Sequence, residues 1–134
     1  MDKRSTRNLI GVADKLQLVA IKAFDYFDYE VTQLSGCAMV ITDGVRTLAE
    51  QEEYVRAGAS WTMDSYHLPW KDGKAYAIDF ALVHRNKVVQ EMAPYERVWL
   101  GCYRPASIQI GVELTWGGRW KSKDGPHIQM KRPD

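Results

Sequence analysis

Cysteine is scarce in this chain. Cys37 and Cys102 are the only two in 134 residues, with no CxxC pair and no series of regular spacings. That excludes a disulfide-stapled scaffold and a cysteine-built metal site, and leaves two free, mostly buried thiols as the expectation. No apolar run approaches the roughly 18 residues a membrane span needs. The opening MDKRSTRNLIGV lacks the apolar stretch of a signal peptide, so the expectation is synthesis in the cytoplasm without membrane insertion. An excess of one charge is missing too. Eighteen Lys and Arg against 17 Asp and Glu leave +1, which gives no electrostatic reason to expect nucleic acid as a partner. The short basic clusters Lys3, Arg4, Arg7 and Lys131, Arg132 read as solvated tails.

What remains is globular: 46% hydrophobic and 26% charged residues, in a length that suits one domain with one core. Apolar residues at Leu16, Val19, Ala20, Ala23 and Phe27 predict an amphipathic helix over 13–27. CAMVIT (37–42) reads as a buried strand, and 47–57 as a helix stopped by Gly58. A polar and aromatic loop, 59–74, leads to a strand over 75–83 and a hairpin through HRNK into Val88 and Val89. A helical segment over 93–110 must break or kink at Pro105 and end at Gly111. Strands at 112–115 and 127–130 flank a turn at Gly117-Gly118. This order predicts a single α+β domain over 1–134, with a mostly antiparallel sheet flanked by helices; a monomer is the separate expectation for its assembly.

Histidine is rare as well, at three. His67, at the end of the long loop, and His127, in the last strand, join Asp79 in a strand as a plausible three-point ligand set for a divalent metal, with a fourth position for water. His84, beside the hairpin turn, is the weaker candidate. Asp79 in an apolar strand demands a partner, because an unpaired carboxylate there would cost several kcal/mol. Asp124, before Gly125-Pro126, suits either a turn or a base near the metal. Arg46 reads equally as a surface residue, and Ser65 as a loop hydroxyl. Trp61, Trp70, Trp116 and Trp120 fit a core or a groove. HExxH is absent, and ligands scattered over sixty residues do not by themselves establish a metal site.

The segments TDGVRT (42–47), GASWTMDSYH (58–67), AID (77–79) and WGGRWKSKDGPHIQM (116–130) resemble, in order, the phage L-alanyl-D-glutamate peptidases. These belong to a zinc peptidase superfamily with the D-alanyl-D-alanine carboxypeptidases and the vancomycin-resistance D,D-dipeptidases, and share their fold with the Hedgehog signalling domain. The resemblance runs from about Leu9 to Met130. It implies His67, Asp79 and His127 as ligands of one zinc ion, and Asp124 as the carboxylate that moves the water's proton to the leaving amine. It also implies Arg46 as a group that steadies the oxyanion or grips a substrate carboxylate, and Ser65 as a substrate-binding or ligand-orienting hydroxyl.

Two features depart from the family's pattern. The interval from His67 to Asp79 carries about five extra residues in LPWKDGKAY, expected to reshape one wall of the cleft, and Arg119 stands where WGGDW has an acid. The function implied is cleavage between L-Ala and D-Glu in the stem peptides of bacterial peptidoglycan, as a phage or prophage endolysin. Such an enzyme would wait in the host cytoplasm until a holin opens the membrane. The alternatives are a D-Ala-D-Ala carboxypeptidase or dipeptidase and a non-catalytic binding module of the same fold.

Overall fold

The computed structural model describes residues 1–30, 36–60 and 62–134; Trp61 lies outside them. The basic N-terminal stretch is not a tail. Asp2 caps a short helix, α1 (Lys3–Asn8), by accepting from the Ser5 N–H at 3.3 Å. Lys3, Arg4 and Arg7 are solvated as expected, but Ser5 beneath them is buried. Its Oγ accepts from the Ile41 N–H at 2.9 Å, and Asn8 Nδ2 donates to the Ile41 carbonyl at 2.8 Å. Ile41 lies on β1 (Cys37–Asp43), at the edge of the sheet. Helix α1 thus satisfies backbone groups that an open edge would present to another chain. A helix of six residues is too short to show periodicity, so no local pattern announces it.

Helix α2 (Asp14–Glu30) buries Leu16, Val19, Ala20, Ala23 and Phe27, the stripe its spacing predicts. Helix α3 (Leu48–Arg56) starts in a capping box, with Thr47 and Glu50 bonded reciprocally, and ends before Gly58, whose φ is +76°. Strand β2 (Ala77–His84) points successive side chains to opposite faces of the sheet, and much of it is buried on both. Ile78, Phe80 and Leu82 join the core with Ile41 and the α2 stripe, while Asp79 points to the other face. Arg85 and Asn86, both at positive φ, turn the chain into β3 (Lys87–Val88), the expected hairpin.

The predicted break at Pro105 takes a different form. Helix α4 (Met92–Val98) runs through a π turn (Trp99–Tyr103) into α5 (Arg104–Ile110), with Pro105 in the first turn of α5. The change in hydrogen-bond spacing accommodates proline's missing N–H without ending the helix. Gly111, at φ +86°, terminates α5 as expected. Strand β4 (Leu114–Trp116), a 3₁₀ turn (Gly117–Arg119) and β5 (His127–Met130) complete the chain. The sheet order is β1-β2-β5-β4, with β3 also on β2, and every strand pair is antiparallel. The fold is α+β, with α2, α4 and α5 contributing to one core against the sheet. Cys102 is buried and Cys37 half-buried, and among the described residues the two form no disulfide. Among the described residues no helix is long and apolar enough to cross a membrane.

Candidate metal centre

The register of β2 with β5 sets Asp79 directly opposite His127, on the sheet face away from the core. A bulge in β1 between Ile41 and Asp43 shifts the pairing by one residue, so Asp43 also comes opposite Asp79. The loop then passes Gly44, where a Cβ would meet the Asn8 carbonyl oxygen at 2.0 Å; only glycine lets α1 and this loop approach so closely. The Gly44 carbonyl accepts from His67 Nδ1 at 2.7 Å. Ser65 Oγ accepts from the His67 N–H at 3.1 Å, and the Arg46 N–H donates to the His67 carbonyl at 2.9 Å. The long loop is therefore fixed where it matters.

These contacts decide the tautomers. A carbonyl can only accept, so His67 carries its proton on Nδ1 and presents a lone pair at Nε2. That atom is buried and without a hydrogen-bond partner. His127 Nε2 meets Gln129 Oε1 at 2.8 Å, which places its proton there and leaves the lone pair on Nδ1. Both lone pairs face one carboxylate oxygen: Asp79 Oδ1 is 3.3 Å from His67 Nε2 and 3.2 Å from His127 Nδ1. Three such atoms repel unless a cation lies among them. Ligands about 2.0–2.1 Å from a tetrahedral metal are themselves roughly 3.3 Å apart. His67, Asp79 and His127 offer ligand atoms within 4.8 Å of one another, and the group fits a metal ion.

The titration behaviour follows from this crowding. Burial pushes the Asp79 carboxyl up, but His127 and His67, when protonated, outweigh it by contact and by charge and hold it far below the ordinary range. Burial pushes His127 down, yet the Asp79 carboxylate reverses that and raises it.

Arg46, half-buried, ties this centre to α3. Its Nε donates to Asp43 at 2.5 Å, Nη2 to Asp79 Oδ2 at 3.3 Å and Nη1 to Gln51 Oε1 at 3.0 Å. Its guanidinium also stacks on Tyr54 at 4.2 Å. Gln51, fully buried, reaches on to Ser60 Oγ and the Thr62 carbonyl. Arg46 holds two carboxylates and one loop, and it lines the cleft.

Asp124 lies on the far wall. Gly117 accepts its N–H at 2.9 Å, and a Cβ at Gly117 would meet the Asp124 carbonyl oxygen at 2.4 Å. Burial of the carboxyl and the charge of Asp79 push its pKa up. Asp43, Asp79 and Asp124 thus share a cluster in which Arg46 supplies one positive charge, a deficit a divalent cation would fill. The cleft has a volume of about 990 Å³, and its floor is His67, Asp79 and His127.

Sequence reasoning named six site residues, Arg46, Ser65, His67, Asp79, Asp124 and His127, and all line this cleft. It did not find Asp43, Gln51, Gln129 or the Gly44 carbonyl. Gln129 alone had a legible signal: two residues after His127 on a strand, it must share that residue's face. His84 lies at the opposite end of β2, paired with Cys37 and Lys87. The tryptophans divide. Trp116 is buried, stacked on Trp99 at 5.9 Å, with Nε1 donating to the Gly125 carbonyl. Trp120 lines the cleft, its ring 4.9 Å from that of His127. Trp70 is partly buried away from it. Arg119 reaches Glu96 on α4 at 3.2 Å rather than the cleft. The five-residue extension does not form a cleft wall either: among the described residues lining it, none lies between 68 and 76.

Comparison with known proteins gives a consistent result. The family model described as phage L-alanyl-D-glutamate peptidase matches residues 1–133. The chain is 31% identical over 136 residues to the L-alanyl-D-glutamate peptidase of Listeria phage A118, covering 95% of this chain and 41% of that protein. It is 27% identical over 132 residues to the L-alanyl-D-glutamate peptidase of Escherichia phage T5, covering 97% of this chain and 88% of that one. The crystal structure of the Serratia marcescens L-Ala D-Glu endopeptidase ChiX superposes with a TM-score of 0.75 at 32% identity, over 98% of this chain and 89% of that one.

Proposed function

This chain belongs to the phage L-alanyl-D-glutamate peptidase family, and from that membership we propose that it is a zinc-dependent endopeptidase cutting the L-Ala–D-Glu bond in peptidoglycan stem peptides. The observation that carries the reading is the meeting of two imidazole lone pairs on one carboxylate oxygen at the floor of a wide cleft. Nitrogen and carboxylate ligands in a tetrahedral set suit zinc.

In this reading His67 Nε2, Asp79 Oδ1 and His127 Nδ1 hold the ion. Bound zinc would supply Lewis acidity for the scissile carbonyl and for an attacking water. The remaining work belongs to the protein. Gly44 and Gln129 fix the ring orientations, so the ligands need no rearrangement as charge develops. Asp124, whose carboxyl is pushed up by burial and by the charge of Asp79, would take the water's proton and pass it to the departing D-Glu amine. Arg46 holds Asp79 in place, and its guanidinium would steady the oxyanion or grip a stem carboxylate. Ser65 acts through the backbone of His67, with its hydroxyl as the hydrogen-bond acceptor. Trp120 offers an apolar wall for the peptide beside the metal. As a monomeric lysin made in the host cytoplasm, the protein would reach the wall once a holin opens the membrane.

The test is mass spectrometry of purified peptidoglycan digested by the zinc-loaded protein. Stems with a new D-Glu amino terminus, lost with chelator and reduced about 10²–10⁴-fold in Asp124→Ala, are the expected outcome. Released D-Ala would instead assign a D,D-carboxypeptidase. No product from a folded, zinc-bound protein would leave a binding module.

A further inference from the structure

We propose that Arg132 is a positioning residue for the metal centre, and that the extra residues between His67 and Asp79 exist in this chain to hold it. The proposal rests on the metal reading above. Arg132 follows β5 in a segment that composition marks as a solvated tail, yet only 11% of its side chain is exposed. Its guanidinium lies over Tyr66 at 3.9 Å and Trp70 at 4.5 Å. Both rings belong to the loop that carries His67, and Trp70 belongs to the extension itself. Nη2 donates to the Ser65 carbonyl at 2.8 Å and Nη1 to Asp64 at 3.1 Å. The indole Nε1 of Trp70 donates in turn to the Pro133 carbonyl at 3.0 Å.

The extension is built to present that indole. The Trp70 N–H bonds to the Lys74 carbonyl at 2.9 Å and the Gly73 N–H to the Trp70 carbonyl at 2.9 Å, closing a tight turn at Gly73, whose φ is +79°. The Tyr76 hydroxyl donates to Asp72 across the base of the turn. Loop and segment therefore clasp each other, and the clasp bears on His67 from outside. Arg132 holds the Ser65 carbonyl, the Ser65 hydroxyl holds the His67 N–H, and Tyr66 stands between them. Without the guanidinium, the stretch 64–67 keeps its contacts to Gly44 and Arg46 but loses its outer support. His67 Nε2 would then sample positions away from Asp79. The fork and flat face of arginine suit two hydrogen bonds and two rings at once, which lysine cannot reproduce.

The experiment measures zinc affinity by competition with a chromophoric chelator, alongside circular dichroism and steady-state kinetics, for the wild-type chain, Arg132→Met, Arg132→Lys and Trp70→Phe. Methionine keeps the apolar stem. The expected result for Arg132→Met is a native dichroism spectrum, zinc bound about tenfold more weakly, and a fall in kcat with KM little changed. Arg132→Lys and Trp70→Phe should shift affinity the same way by less. Wild-type zinc affinity in folded Arg132→Met, whatever its melting temperature, overturns the proposal. If Arg132→Met does not fold, unchanged affinity in both Arg132→Lys and Trp70→Phe overturns it. A wild-type chain that binds no zinc defeats the metal reading itself, and this proposal with it.

Discussion

Gln129 serves His127 as the Gly44 carbonyl serves His67: each accepts one ring N–H and so turns the other nitrogen, as a lone pair, towards Asp79. His67, Asp79, His127 and Asp124 were legible from the sequence because their side chains carry the chemistry and their flanking motifs are distinctive. Their supports were not, since a backbone carbonyl has no residue signature and a glutamine is common on any strand. Replacing Gln129 by Leu keeps the bulk and removes the acceptor. The N–H at Nε2 would lose its partner and the ring its fixed tautomer. Zinc affinity should fall about 10–100-fold in Gln129→Leu, read by chelator competition on a protein with an unchanged dichroism spectrum. Affinity equal to wild type would mean that His127 is oriented by β5 and Trp120 alone.

Among the elements, the turn between β4 and β5 is the most constrained. Trp116 anchors it to the Gly125 carbonyl, and Gly117 must lack a side chain for the Asp124 backbone to close over it. In Gly117→Ala the added Cβ would push against Asp124 and against His127 Cβ, 3.1 Å away. Overpacking of this kind costs about 1–3 kcal/mol, and a displaced Asp124 should lower kcat more than tenfold, since misplacement by about an ångström can cost 10²-fold. Urea unfolding and kinetics check the two parts separately; full activity in a destabilised variant would remove Asp124 from the proton-transfer role. The elements themselves were mostly legible. Helix α2, β1, α3, β2 and β5 follow from apolar spacing and caps that act within one or two turns of chain. Helix α1 and the π turn were not, because one is too short for a period and the other is settled by how that turn and α5 pack on α2.

Across the whole molecule, the candidate metal centre joins parts of the chain far apart in sequence: β2, β5 and the long loop, with α1 and α3 behind them. An ion that binds only the folded arrangement must therefore stabilise all of it. Free zinc at a hundred times its dissociation constant adds about 2.7 kcal/mol, and for a chain of this size that raises Tm by roughly 10 °C. Scanning calorimetry of the stripped and loaded protein tests this. The same rise in Asp124→Ala would separate binding from catalysis, because Asp124 is not among the three ligands. An unchanged Tm on loading would argue that the three ligands do not bind zinc together.

The sequence alone determined which residues could do chemistry, the α+β class and most strand and helix positions, because these depend on side-chain type and on periodicities of two and 3.6 along the chain. Tertiary structure decided how they meet. The register of β2 against β5 and the bulge in β1 set Asp79 between two imidazoles and an arginine. The clasp of Arg132 on Tyr66 and Trp70 turned an apparent solvated tail into part of the cleft's support, and moved the loop extension away from the cleft wall. Contacts between residues some sixty positions apart leave no local pattern, since each partner taken singly is an ordinary surface arginine or loop tryptophan, and only the folded chain brings them within reach.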